Sequence, residues 1–133
     1  MRFVDSNIFV YHLADDPFYG KRAGDILSTI EKGEKAATST LVIAQVCAYL
    51  KWKKLERAIP MFIDLLRSLP SLSKEDTTFL DVVSAYALQE ETKAGWQMWD
   101  DLIIASQMSR LGIKEIYSND RDFDTIRWVK RVF

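Results

Sequence analysis

The chain has 133 residues, 48% apolar and 28% charged, which suits one compact domain with an ordinary core and leaves no room for a second. Its formal charge of −1 supplies no global attraction to a polyanion, so any nucleic-acid contact must use local basic patches. The one cysteine, Cys47, excludes an internal disulfide and points to a reducing compartment, the cytoplasm by default. No apolar run approaches the ~20 residues of a membrane helix, and acids at Asp5, Asp15 and Asp16 stand where a signal peptide needs positive charge. The chain is therefore expected to be neither secreted nor membrane-spanning. Charge is segregated: Ser73 to Asp101 holds seven acids and two lysines, whereas Arg110 to Phe133 holds six Lys/Arg and four acids.

Arg2-Phe3-Val4-Asp5 reads as a short buried strand ending on a carboxylate, followed by apolar Ile8, Phe9, Val10 and Leu13. Ala23, Ile26, Leu27 and Ile30 have helical spacing, which predicts a helix over about 18 to 32 that Gly33 stops. Ala36 to Ser39 reads as a second strand, and Thr40 can cap a helix carrying Leu41, Ile43, Ala44, Val46, Cys47 and Leu50. Pro60 and Pro70 bracket a further helical piece with Phe62, Ile63, Leu65, Leu66 and Leu69. Ser73 and Asp76 have capping-box spacing, which predicts the next helix from there to about Glu91. After Gly95, Asp100 and Asp101 open a helix with Leu102, Ile103, Ala105 and Met108, ending near Gly112. Ile113 to Tyr117 reads as a strand, Ser118 to Asp122 as a polar turn, and Trp128 to Val132 as a last strand.

Strands alternating with helices imply an α/β domain, a three-layer α/β/α arrangement around a mostly parallel sheet. Such sheets place their sites beyond the strand C-termini. Asp5 and Asp120 each follow a strand, and the helix opened by Asp100 and Asp101 leads into the strand before Asp120. The topology thus brings distant acids toward one crevice. Each acid alone has a plainer reading: Asp5 and Asp101 as helix caps, Asp120 as a turn residue. Together they repel one another unless a cation neutralises them, and hard oxygen donors suit Mg2+ or Mn2+. These ions can bring a water to a phosphate, so metal-assisted phosphodiester hydrolysis is the reaction class. Other chemistries lack their parts. His12 is the only histidine and has no evident Ser or Cys nucleophile, and the five glycines are scattered rather than gathered into a phosphate loop.

Four pieces in order, Val4-Asp5-Ser6-Asn7, Thr38-Ser39-Thr40-Leu41, Asp101 to Ala105, and Ser118-Asn119-Asp120-Arg121-Asp122-Phe123, resemble the signature of PIN-domain nucleases across nearly the whole chain. The resemblance implies metal ligands at Asp5, Asp101 and Asp120, a further acid at the rim in Asp122, and hydrogen-bonding support from Asn7 and Ser118. Asp100 is a weaker candidate ligand. It also implies an endoribonuclease cutting single-stranded RNA, and many small members are toxins of toxin–antitoxin pairs. A homodimer restrained by a small antitoxin is the corresponding expectation.

One departure matters. The family usually carries a glutamate on the helix after the second strand, where this chain has Gln45, which offers a carbonyl oxygen to a metal but no charge and no base. The alternative is a catalytically weak PIN fold acting as an RNA- or protein-binding module. A phosphatase of the haloacid-dehalogenase type also begins with a strand ending in Asp, but it needs a second acid where Asn7 stands. Lys51-Trp52-Lys53-Lys54 could hold RNA by charge and stacking, although the helix dipole alone accounts for terminal lysines. Trp96 and Trp99 are read as packing residues.

Overall fold

The computed structural model describes residues 1–133. In chain order it holds β1 (Arg2–Val4), α1 (Ser6–Leu13), α2 (Gly20–Glu31), β2 (Ala36–Ser39), α3 (Thr40–Trp52) and α4 (Ala58–Arg67). There follow β3 (Leu72–Glu75), α5 (Phe79–Thr92), α6 (Trp99–Arg110), β4 (Glu115–Tyr117) and β5 (Lys130–Val132), with short 3-10 turns at Trp96–Met98 and Arg121–Thr125. All five strands are parallel, in the order β3-β2-β1-β4-β5. Helices α1 to α4 pack on one another and α5 packs on α6, giving the three expected layers.

A parallel sheet covered on both faces needs strands that are apolar on both sides, and the three inner strands comply. Phe3 and Val4 of β1 and Ile116 and Tyr117 of β4 are buried, and Ala36 and Ala37 of β2 are small enough to admit close helix packing. Phe9 of α1 meets Phe62 of α4 with ring centroids 5.3 Å apart, joining the first and fourth helices over the sheet. Helix α2 runs into Gly33 at φ 118° and α6 into Gly112 at φ 73°, left-handed positions where a side chain would be strained. Pro60 lies in the first turn of α4, where its missing N–H costs nothing, so that helix begins two residues before it.

The expected helix at Ser73 is corrected to a strand. Leu72–Glu75 is the sheet edge, pairing Ala36 with Leu72 and Ser39 with Glu75, and only Leu72 of the four is buried. The capping box forms five residues later: Thr78 accepts from the Asp81 N–H while the Asp81 carboxylate accepts from the Thr78 N–H at 2.8 Å. Both Ser-x-x-Asp and Thr-x-x-Asp satisfy the local pattern. Tertiary contacts decide between them, because β2 takes the Ser73 backbone into the sheet and Arg110 of α6 clamps Asp81 at 2.7 and 2.9 Å.

Burial would raise the Asp81 carboxyl, but the Arg110 guanidinium and the Thr78 hydrogen bonds outweigh it and hold it below the usual carboxylate range. A group with a depressed folded-state pKa stabilises the fold above its unfolded pKa, and that stability is lost as pH falls through the folded value. Asp81→Ala should therefore destabilise the protein by roughly 2–3 kcal/mol at neutral pH, combining a lost cap with a broken charge-assisted pair. Denaturant melts of both proteins should converge as the pH drops below about 4.

Candidate metal centre

In this sheet β1 leads leftward to β2 while β4 lies on its right, so the strand order reverses between β1 and β4. The crevice at such a switch point is where open α/β sheets bind their ligands. Asp5 follows β1 and Ser118 to Asp120 follow β4, so the two strand ends deliver their polar residues side by side.

Asp5 has a structural task as well as a place in the crevice. Its Oδ1 accepts from the Ser6 N–H at 2.8 Å and caps α1, while its Oδ2 accepts from the Ser118 hydroxyl at 2.7 Å and the Asn7 amide at 3.3 Å. The Ser118 hydroxyl in turn accepts from Asn7 at 3.1 Å and from the Asp120 N–H at 3.0 Å, and Asn7 accepts from the Asn119 N–H at 3.2 Å. Asn7 and Ser118 therefore stitch the end of β1 to the end of β4. Burial, with repulsion from Asp120, raises the Asp5 carboxyl above its ordinary range despite these hydrogen bonds.

Asp101 reaches the same place from the first turn of α6. Burial is the main reason its pKa is pushed up to about 8, reinforced by repulsion from Asp120, Asp5, Asp122 and Asp100. Asp120 caps the 3-10 turn by accepting from the Asp122 N–H at 2.9 Å. One carboxylate oxygen from each of Asp101, Asp120 and Asp122 lies within 4.8 Å of the others. Asp5 stands outside this trio but close enough to repel both Asp101 and Asp120.

Gln45 projects from the second turn of α3 and its Nε2 donates to Asp100 at 3.0 Å. Its Oε1 is buried with no hydrogen-bond partner, the only such side-chain atom in the chain. An unmet buried acceptor is costly, by about 1–3 kcal/mol, and persists where something else satisfies it. Three converging carboxylates, one of them holding its proton near neutral pH, and an orphaned carbonyl oxygen fit a hard cation. Asp101, Asp120, Asp122 and Gln45 could hold it, with Asp5 completing the negative surroundings.

Two neighbours, Tyr11 and Arg131, escaped the sequence reading. Asn119 donates to the Tyr11 hydroxyl at 3.2 Å, and Arg131 of β5 donates to the Ser118 carbonyl at 3.4 Å while pairing with Asp124 at 3.0 Å. Tyr11 lies one helical turn beyond Asn7, a spacing that could have suggested it. Nothing local marks Arg131, whose role comes from β5 lying beside β4. His12 is exposed on α1 beside Gly24 and takes no part.

A parallel α/β domain with an acidic crevice at its switch point is the class that fold and site define. The PIN domain profile matches residues 2–129, and the chain belongs to that family. Searching the curated proteins finds no significant match. Among solved structures, the chain is similar to the Mycobacterium tuberculosis toxin VapC20, which cleaves the sarcin-ricin loop, at 18% identity, TM-score 0.80 and 98% coverage of both chains. It also resembles a chain of Rickettsia felis VapBC2 bound to a promoter DNA fragment, at 20% identity and TM-score 0.73, covering 98% of this chain and 96% of that one. A toxin–antitoxin complex from Klebsiella pneumoniae gives 19% identity and TM-score 0.64, with 100% and 97% covered. At these identities the likeness establishes the fold.

Asp101 has a folded-state pKa raised from 3.8 to about 8, so its stabilising proton is lost as pH rises through that window. Metal-free wild type should therefore lose stability relative to Asp101→Asn between pH 4 and pH 8, and the variant should melt several degrees higher at the alkaline end. Thermal melts across pH, in chelator, read this directly. Equal pH profiles would show that Asp101 does not face its neighbours' charge.

Proposed function

We propose that this protein is a divalent-metal-dependent endoribonuclease that cuts single-stranded RNA and serves as the toxin of a toxin–antitoxin pair. The observation that carries the reading is the convergence of Asp101, Asp120 and Asp122, with Gln45 hydrogen-bonded to the adjoining Asp100. Family membership supports a nuclease, and similarity to VapC20 and to two toxin–antitoxin assemblies supports the cellular role. A small antitoxin and a second copy of the chain are the proposed protein partners. The exposed apolar stripe Phe79, Val83 and Tyr86, at i, i+4 and i+7 on α5, supports the homodimer. The free thiol of Cys47 supports a cytoplasmic setting, and no helix is long and apolar enough to cross a membrane.

Asp101 and Asp120 would hold Mg2+ or Mn2+, with Asp122 and Gln45 as further donors and Asp5 and Asp100 adding negative charge nearby. When bound, the ion supplies an activated water and stabilises charge developing on the phosphate. Asp101 must release its proton before it can serve as a ligand, so rising pH should favour loading. Ser118 and Asn7 position Asp5, and the Asp120 N–H held by Ser118 fixes the approach of the turn. No imidazole reaches the crevice to deprotonate a ribose 2′-hydroxyl, so water is the nucleophile left, and the products should carry a 5′-phosphate and a 3′-hydroxyl. A 2′,3′-cyclic phosphate among the products would contradict this.

The absence of a carboxylate at Gln45 favours one second reading, a PIN fold that binds RNA or protein with little turnover. Manganese-dependent cleavage of a mixed-sequence single-stranded RNA separates the two, and Asp120→Asn should lower the rate at least about a hundredfold. Gln45→Glu offers a further test. It replaces the hydrogen bond to Asp100 by a repulsion, so the metal-free variant should melt lower than wild type, while calorimetry should show tighter manganese binding. Unchanged values of both would place Gln45 outside the metal's surroundings.

A further inference from the structure

Helix α3 reaches the acidic crevice through Gln45, which donates to Asp100, and ends on a basic, aromatic surface. Gln45, Tyr49 and Trp52 are spaced i, i+4 and i+7, so they fall on one face, and the step from Gln45 to Trp52 advances about 10 Å along the axis. At the near end lies a hollow of about 360 Å3 lined by Ser6, Asn7, Val10, Tyr11, Gln45 and Tyr49. It begins where Ser6 and Asn7 follow Asp5, and its volume lies in the range of small-molecule sites, which start at about 300 Å3. No acid lines it.

At the far end Trp52 is 73% exposed and meets the half-exposed Tyr49 edge-on, with centroids 6.0 Å apart. The Lys53 ammonium lies 4.7 Å from the Trp52 ring centroid and 6.0 Å from that of Tyr49. Helix α3 carries no acidic residue, while Lys51, Lys53 and Lys54 crowd its end. Packing does not require this group, since Trp52 and the three lysines are all exposed. Lys54 stands at φ 58°, the left-handed position after a helix where glycine is the relaxed choice, so a lysine there is kept at a conformational cost.

We propose that this face of α3 is the track on which single-stranded RNA lies as it leaves the metal centre. A base enters the hollow beside Tyr11 and Tyr49, the next stacks on Trp52, and Lys53 and Lys54 hold the phosphates. Stacking on exposed rings is tolerant of sequence and needs unpaired bases, so the track selects single strands over duplexes. The inference rests on the ribonuclease reading above and deepens it to the binding of the strand beyond the scissile bond.

The test uses a fluorescently labelled ten-nucleotide RNA of mixed sequence, with anisotropy measured in chelator so that cutting does not interfere, and in a salt series. Trp52→Ala should weaken binding about tenfold. Lys54→Gly should lower the slope of log affinity against log salt by about 0.7, one phosphate contact, while raising the melting temperature because glycine relaxes the φ 58° position. Opposite movement of stability and affinity rules out damage to the fold as the cause. If wild type cuts RNA with manganese but both variants bind the oligonucleotide as tightly as wild type, the track is wrong and the nuclease reading survives. If wild type neither binds nor cuts, both fall. If the variants bind RNA normally yet release a protein that co-purifies with wild type, the face docks a protein and the inference is overturned.

Discussion

Mutual repulsion among carboxylates is the constraint around which this molecule is built. The order β3-β2-β1-β4-β5 forces the ends of β1 and β4 together, which brings Asp5 and Asp120 close enough to repel each other. Without a cation the fold has to absorb that charge, and several devices do so. Asp5 spends its oxygens on Ser6, Ser118 and Asn7, Asp101 keeps its proton to about pH 8, and Asp100 receives the Gln45 amide. Behind them the buried Phe3, Val4, Ile116 and Tyr117 hold the two strand ends rigidly, so the acids cannot drift apart to relieve the strain.

Gln45 acquires its meaning from that constraint. A glutamate there would add a charge to a crowded crevice and lose the donor that Asp100 now accepts from. The amide lowers the repulsion and still presents an oxygen, buried and unmet, of the kind a cation takes. The departure from the family pattern is thus consistent with a site that tolerates the metal-free state better and holds its ion more weakly than a full set of acids would. Fold membership alone would not support a reaction, and the functional reading rests on this local chemistry.

How far the sequence could be read depended on where the information lay. The α/β alternation, the strand ending at Asp5, the glycine stops at Gly33 and Gly112, and the meeting of Asp101 with Asp120 followed from periodicity and from the rule that strand C-termini carry the site. The edge strand Leu72–Glu75 was not legible, because a four-residue strand with one buried side chain has no alternation to detect and borrows its register from β2. Its Ser73 and Asp76 imitated a capping box that Arg110, nearly thirty residues after Asp81, assigns to Thr78 and Asp81. The cap reading of Asp5 holds through one oxygen, which accepts from Ser6, while the other accepts from Ser118 and Asn7 and ties the cap to the end of β4. Arg131 and the Gln45–Asp100 hydrogen bond depend on tertiary pairing and have no local signature.

The central claim is that Asp101, Asp120, Asp122 and Gln45 surround one hard cation. Anomalous diffraction from crystals grown with manganese tests it most directly. The account predicts a peak between these residues, with oxygens of Asp101 and Asp120 at roughly 2.0–2.3 Å and the Gln45 Oε1 facing the ion. An acidic crevice that holds no manganese at millimolar concentration and alkaline pH, or an ion bound elsewhere, would contradict it.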